Sequence, residues 1–276
     1  MSTNVHPFVQ SLVQDAHFAE TATALWSGKP ISVEGIAGSS CALATAALFQ
    51  YGNLHTGNGS IILITPNTNS AEQIAEDITL FLKPEEAEHQ RNQVLLFPPM
   101  EQRDYESEAA LAIADEAFGE RVNVLKQLVS QREDRRIVVL SMPALLQPVP
   151  PPALLGERTQ TLAVNSRVDL ESLRRFLVEG GYHATTAVDL PGEFAIRGYI
   201  LDLFAPDWEH PVRVEFFNDE IESIRRFDLT TQRSLEKIPE IDLTRLQPHE
   251  CVGASLLDYF PSSTPIVLVE PDRMKE

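Results

Sequence analysis

The chain has 276 residues, 43% hydrophobic and 22% charged, with 40 acidic against 22 basic side chains and a formal net charge of −18. That composition is ordinary for a soluble globular protein with room for one large domain or two medium ones, and its acidity argues against a chain that is primarily a duplex binder, because phosphates repel such a surface. No apolar run approaches the roughly 20 residues that span a bilayer, the opening MSTNVHPFVQ lacks the basic region and apolar core of a signal peptide, and Cys41 and Cys251 alone suit a reducing cytoplasm better than a disulfide framework or a zinc site.

In chain order, residues 5–27 read as a helical lead-in with an apolar stripe of Phe8, Leu12, Phe18 and Leu25. A short strand, Ile31 to Glu34, is expected next, then the turn Gly35-Ile36-Ala37-Gly38-Ser39-Ser40-Cys41-Ala42 and an Ala-rich helix to about Phe49. Strand, glycine-rich turn and helix are the setting of a phosphate-binding loop. Its chemistry needs a lysine for the β- and γ-phosphates and a Ser or Thr hydroxyl on magnesium. Here Cys41 stands in the lysine position and Ala42 in the hydroxyl position. Gly35, Gly38, Ser39, Cys41 and Ala42 are therefore read as a degenerate loop, and the expectation is no nucleotide hydrolysis, no cofactor, no metal and no catalytic residue.

Ser60 to Pro66 (SIILITP) reads as a central parallel strand, Ser70 to Phe81 as a helix, Gln93 to Phe97 as a strand, 107–131 as a long helix and Arg136 to Leu140 as a further strand. Strands alternating with helices imply a parallel sheet with right-handed crossovers. Asp115-Glu116-Ala117-Phe118 falls within the long helix, so its likeness to a helicase DEAD box is superficial. Arg132, Arg135 and Arg136 read as a helix C-terminal turn, where cations suit the dipole. Pro148 to Pro152 reads as a stiff linker. Thr159 to Val164 is then a strand, and Asp169 caps a helix that stops at Gly180-Gly181. Near the end, Leu256 to Phe260 reads as a helix and Pro265 to Val269 as another parallel strand.

The most informative stretch is Gly192 to Ser234. It reads as three strands, one in GEFAIRGYILDLFAP, one in PVRVEFF, and Glu220 to Phe227, the last two joined by a turn at Asn218-Asp219. Alternation puts Phe194, Ile196, Val212, Val214 and Phe216 on a core face. It leaves Arg197, Arg213, Glu215 and Phe217 on an exposed strip. Two readings of that strip stay open, a binding surface, where aromatics and arginines concentrate, and a residue capping a sheet edge.

GEFAIRGYILDLF, RVEFFNDEIESIRRFD and TTQRS resemble the second domain of the bacterial transcription-repair coupling factor (Mfd) and of its relative UvrB. Both families carry G-x-[FY]-x-x-RG, then D-[IL]-F-P, then an arginine-led strand with a paired aromatic. The UvrB loop is an intact G-x-x-G-S-G-K-T, so Cys41 and Ala42 favour the coupling factor. The resemblance implies a RecA-like parallel-sheet domain 1A over 1–146, an inserted α+β domain 2 with an antiparallel sheet over 147–240, and the start of domain 1B over 241–276. It implies a non-catalytic module that binds UvrA, the damage-recognition ATPase of nucleotide excision repair, through Arg197, Arg213 and Phe217. RNA polymerase and DNA would be reached only through C-terminal modules of a longer, ATP-dependent translocase, the setting is cytoplasmic, and no membrane is involved. The alternative is a fragment of a UvrB-type ATP-dependent DNA helicase.

Overall fold

The computed structural model describes residues 6–55, 59–82, 93–100, 116–130 and 135–274. It is a mixed α/β chain that divides into two compact units, residues 1–99, 130–147 and 259–276 in the first and 100–129 and 148–258 in the second.

The first unit opens with two helices, Pro7–Gln14 (α1) and Ala16–Trp26 (α2). The lead-in breaks at Asp15, whose carboxylate accepts the backbone N–H of Phe18 at 2.8 Å and so starts a new helix. Ser39–His55 (α3) buries Ala42, Ala46, Ala47 and Phe49 and runs more than a turn past Phe49. Ile61–Thr65 (β1), Thr68–Leu82 (α4), Val94–Phe97 (β2) and Ile137–Ser141 (β3) follow. The sheet order is Ile266–Leu268, β1, β3, β2, and every pairing is parallel. β1 and β3 are buried along their whole lengths, as continuous apolar runs in central parallel strands require.

Two expectations here are corrected. Ile31 to Glu34 is not a strand. It is extended chain with Ile31 and Val33 exposed, because β-favouring residues make a strand only when a ladder partner is beside them. The arginine cluster is not a helix end at Arg135 and Arg136, which lead straight into β3. Arg136 is buried, and Arg135 donates to the Asn53 carbonyl at 3.1 Å. Arg132 lies outside the described residues.

In the second unit, Glu116–Ser130 (α5) buries Phe118, Val122, Leu125 and Leu128. The earlier part of the expected long helix, with Asp115, lies outside the described residues. Pro148 to Pro152, read as a stiff linker, is pinned in place. Val149 is buried and exchanges two backbone hydrogen bonds with Ala254, and a short helix starts at Pro152. Thr159–Ala163 (β4) is followed by Leu170–Glu179 (α6), capped by Asp169, which accepts the Ser172 N–H, and closed at Gly180 and Gly181 as the sequence indicates. Then come His183–Ala184 (β5), Glu193–Arg197 (β6), Ile200–Phe204 (β7), Val212–Phe217 (β8), Glu220–Phe227 (β9), Ser234–Lys237 (β10) and Glu240–Thr244 (β11).

β10-β9-β8-β7-β6-β5 form one sheet, antiparallel except for the short β5–β6 pair, and β11 pairs with β4 in a separate antiparallel ribbon. The GEFAIRGYILDLFAP stretch thus folds as a two-strand hairpin rather than one strand, turning at Gly198-Tyr199, where Gly198 takes a φ of 62°. Its inner face, with Leu201, Leu203, Val212, Val214 and Ile224, packs on Leu173 and Leu177 of α6 and on Leu162, Ile241 and Leu243 of the ribbon. The helix expected from Leu256 is present as a 3₁₀ turn, Leu256–Tyr259.

Candidate protein-docking face

The opposite face of the sheet is laid out by register. Ala195 on β6, Asp202 on β7, Arg213 on β8 and Arg225 on β9 are successive cross-strand partners. Such neighbours stand about 5 Å apart, close enough for side chains to interact directly. Asp202 is 1% exposed, an acid inside an apolar strand that must be paired to be tolerated. Arg213 supplies the pairing as a fork, Nε to Oδ1 at 2.6 Å and Nη2 to Oδ2 at 2.8 Å. Arg197 donates from Nη2 to the same Oδ2 at 2.7 Å. The Arg213 guanidinium also lies 4.9 Å from the centroid of the Phe227 ring.

Donating hydrogen bonds to Asp202 holds Arg213 above the ordinary guanidinium value, against the opposing effect of its partial burial. A second ionic set follows along the same face. Glu215 accepts from Ser223 at 2.7 Å and pairs with Arg225, and these two partners, Ser223 first, hold its carboxyl below the usual carboxylate range. Three guanidiniums meet two carboxylates in this cluster, an excess of positive charge on a strongly acidic chain, while Glu220 stands opposite Phe217 at the end of the same face.

Of the residues expected on the strip, Arg197 and Arg213 are brought together, bridged by Asp202. Phe217 is 70% exposed and stands four residues along β8 from Arg213, about 13 Å at a strand's rise. The expected strip is not exposed throughout, and this too is a correction: Arg213 and Glu215 are half-buried, drawn onto the sheet by their ion pairs with Asp202 and Arg225. On the same face Ala195 is buried with Val188 and Phe204 in a small second cluster, with Trp208 packed against it. Sequence reading missed Asp202 and Tyr199. Tyr199 is 60% exposed at the β6–β7 turn, and its carbonyl accepts the Phe216 N–H at 2.8 Å, which sets two exposed aromatics at the same end of the sheet. The signal for Asp202 was a single acid inside ILDLF, where both neighbours point to the core.

The glycine-rich turn has a different character. Gly35 and Gly38 adopt φ of 81° and 55°, and residues 35–40 are exposed. The N–H groups of Ser40 and Cys41 are taken by the carbonyls of Ala37 and Gly38, and the Ser39 hydroxyl donates to Asp77 at 2.7 Å. Ala42 is buried, and burial, followed by the charge of Glu270, raises the Cys41 thiol. Among the described residues, no group of three or more His, Cys, Asp or Glu side chains could hold a metal ion, and no helix is long and apolar enough to cross a membrane.

The sequence model of the family described as the UvrB interaction domain matches residues 161–247, from within β4 to just past β11, and so contains the whole arginine cluster. The chain is 32% identical over 209 residues to the transcription-repair-coupling factor of Bacillus subtilis (strain 168), covering 76% of this chain and 16% of that protein. It is 32% identical over 226 residues to the one from Myxococcus xanthus, 82% of this chain and 18% of that protein. The chain is a relative of the transcription-repair-coupling factors. A third transcription-repair-coupling factor, from Haemophilus influenzae, is 33% identical over 189 residues, 68% of this chain and 15% of that protein. The likeness read from the β6 to β9 motifs is therefore a likeness of most of the chain, which spans less than a fifth of the length of these transcription-repair-coupling factors.

Proposed function

We propose that the second unit is a non-catalytic docking module for UvrA, and that through it a transcription-repair-coupling factor links stalled RNA polymerase to nucleotide excision repair. The observation that carries this reading is the Arg197–Asp202–Arg213 cluster, with Phe217 exposed on the same sheet, inside the stretch that matches the UvrB interaction domain. Guanidiniums suit carboxylates on a partner, and an exposed aromatic further along β8 on the same face offers area to desolvate. RNA polymerase and DNA belong, in this reading, to modules outside this chain, and the working compartment is the cytoplasm.

We place the first unit as a RecA-like scaffold whose loop has lost nucleotide chemistry. Cys41 has no amine to reach a phosphate, the buried Ala42 offers no magnesium ligand, and Asp77 on Ser39 puts a negative charge where an anion would approach. The competing reading, a helicase fragment, requires this loop to bind Mg-ATP, and isothermal titration with Mg-ATP separates the two.

The direct test is retention of the purified chain by immobilised UvrA. Wild type is retained, and Arg197→Ala and Phe217→Ala are lost while keeping wild-type circular dichroism. Full retention of both variants overturns the proposal.

A further inference from the structure

Asp202 has one place in this sheet and two arginines converging on it. Its cross-strand neighbour on β6, Ala195, presents only a methyl group, so the carboxylate is open on that side to Arg197, two residues further along β6. On the other side Arg213 meets it directly and fills both oxygens. Oδ2 is therefore shared by two guanidiniums, at 2.7 and 2.8 Å. The Asp202 side chain is 2% exposed, whereas the Arg197 side chain is 57% and that of Arg213 24% exposed. The acid lies beneath the arginines, and it is the arginines that meet solvent.

We propose that Asp202 is a positioning residue of the docking face. It sets Arg197 and Arg213 side by side in the free chain, so that the pair receives one acidic group of the partner without first having to be ordered. This rests on the docking reading above and adds to it a buried residue that touches no partner. Immobilising a rotamer-rich side chain on binding costs about 0.5–1.5 kcal/mol, and two arginines fixed in advance by the fold avoid that cost. Phe227 beneath Arg213 adds a second restraint.

The alternative role for a buried acid here is neutralisation, and the two roles have opposite signs. Asp202→Asn keeps the shape and removes one negative charge. If Asp202 only neutralises, the variant face is more cationic and binds an acidic partner faster and tighter. If Asp202 positions, binding weakens, and the change falls on the dissociation rate, because steering acts on association and lost local fit on dissociation.

Surface plasmon resonance with UvrA, wild type against Asp202→Asn, reads both rates. We expect at least a tenfold loss of affinity, carried by faster dissociation. Equal or tighter binding by Asp202→Asn overturns the proposal while leaving the docking reading intact, whereas absence of UvrA binding by the wild-type chain overturns both. Should Asp202→Asn fail to fold, the wild type decides alone. The Arg213 Nε–Hε group should show an NMR order parameter near the 0.85 of rigid backbone in the free chain, and a value below about 0.6 overturns the proposal.

Discussion

Removing the Phe217 ring separates what the sheet needs from what a partner needs. The residue is 70% exposed and sits at the end of β8, so Phe217→Ala removes little packing, and stability should stay within about 0.5 kcal/mol of wild type. A phenylalanine offers about 200 Å² to be buried, so roughly 140 Å² remains for a partner to cover here. At about 25 cal/mol per Å² that area corresponds to about 3.5 kcal/mol. Alanine keeps the Cβ share, which leaves a loss of about 2–3 kcal/mol, or roughly 30- to 150-fold in Kd. Titration calorimetry of UvrA against both proteins measures the affinity, and a urea melt measures the fold. A Kd within threefold of wild type would falsify the anchor role. A large drop in melting midpoint would show instead that the ring supports the sheet.

Other consequences are open to measurement. Arg213→Ala removes the fork and leaves Asp202 buried with Arg197 alone, and it should cost about 2–3 kcal/mol in a urea melt, below the range for fully buried pairs because the arginine is partly solvated. Arg197→Ala, exposed and with one bond lost, should cost less than about 1 kcal/mol, and equal losses for the two would contradict this ordering. The lowered Glu215 carboxyl contributes stability that is present above its ordinary value of 4.5 and disappears as pH falls through the lower folded value. The melting temperature of Glu215→Gln should therefore fall less steeply than wild type between pH 5 and 3, and parallel slopes would count against it. The raised Arg213 guanidinium contributes fully below its ordinary value, so it adds no pH dependence between pH 6 and 9. Burial pushes the Cys251 thiol up to about 12, so at pH 8 Ellman's reagent should reach it only after denaturant is added, and prompt labelling of two thiols in the native chain would refute this.

The parts of the fold that were legible from sequence are those whose signals are local. SIILITP and RIVVL announce central strands by unbroken hydrophobicity, and Asp169 with Gly180-Gly181 brackets a helix by its caps. The misses depend on partners that a single stretch does not show. Ile31 to Glu34 has a strand's composition but no neighbouring strand among the described residues, and so remains exposed chain. The β6–β7 hairpin was hidden because its turn is a single Gly-Tyr pair inside an apolar run, without the Asn-Gly or Asp-Gly that usually marks one. Losing that strand also lost Asp202. Arg197 and Arg213 could be placed on one face by counting, but the acid that joins them sits on the strand between theirs, and only register reveals it.

The pairing of β4 with β11 has a mechanical meaning. Ala163 stands opposite Glu240, and the Val164 N–H donates to the Pro239 carbonyl at 2.9 Å. The 74 residues between Val164 and Pro239, carrying α6 and the six-stranded sheet, therefore leave the ribbon and return to it as a clasped loop. The ribbon is also part of that loop's floor, since Leu162, Ile241 and Leu243 share the sheet's core. The loop's tips can therefore be lengthened or trimmed while the clasp and those three side chains are kept.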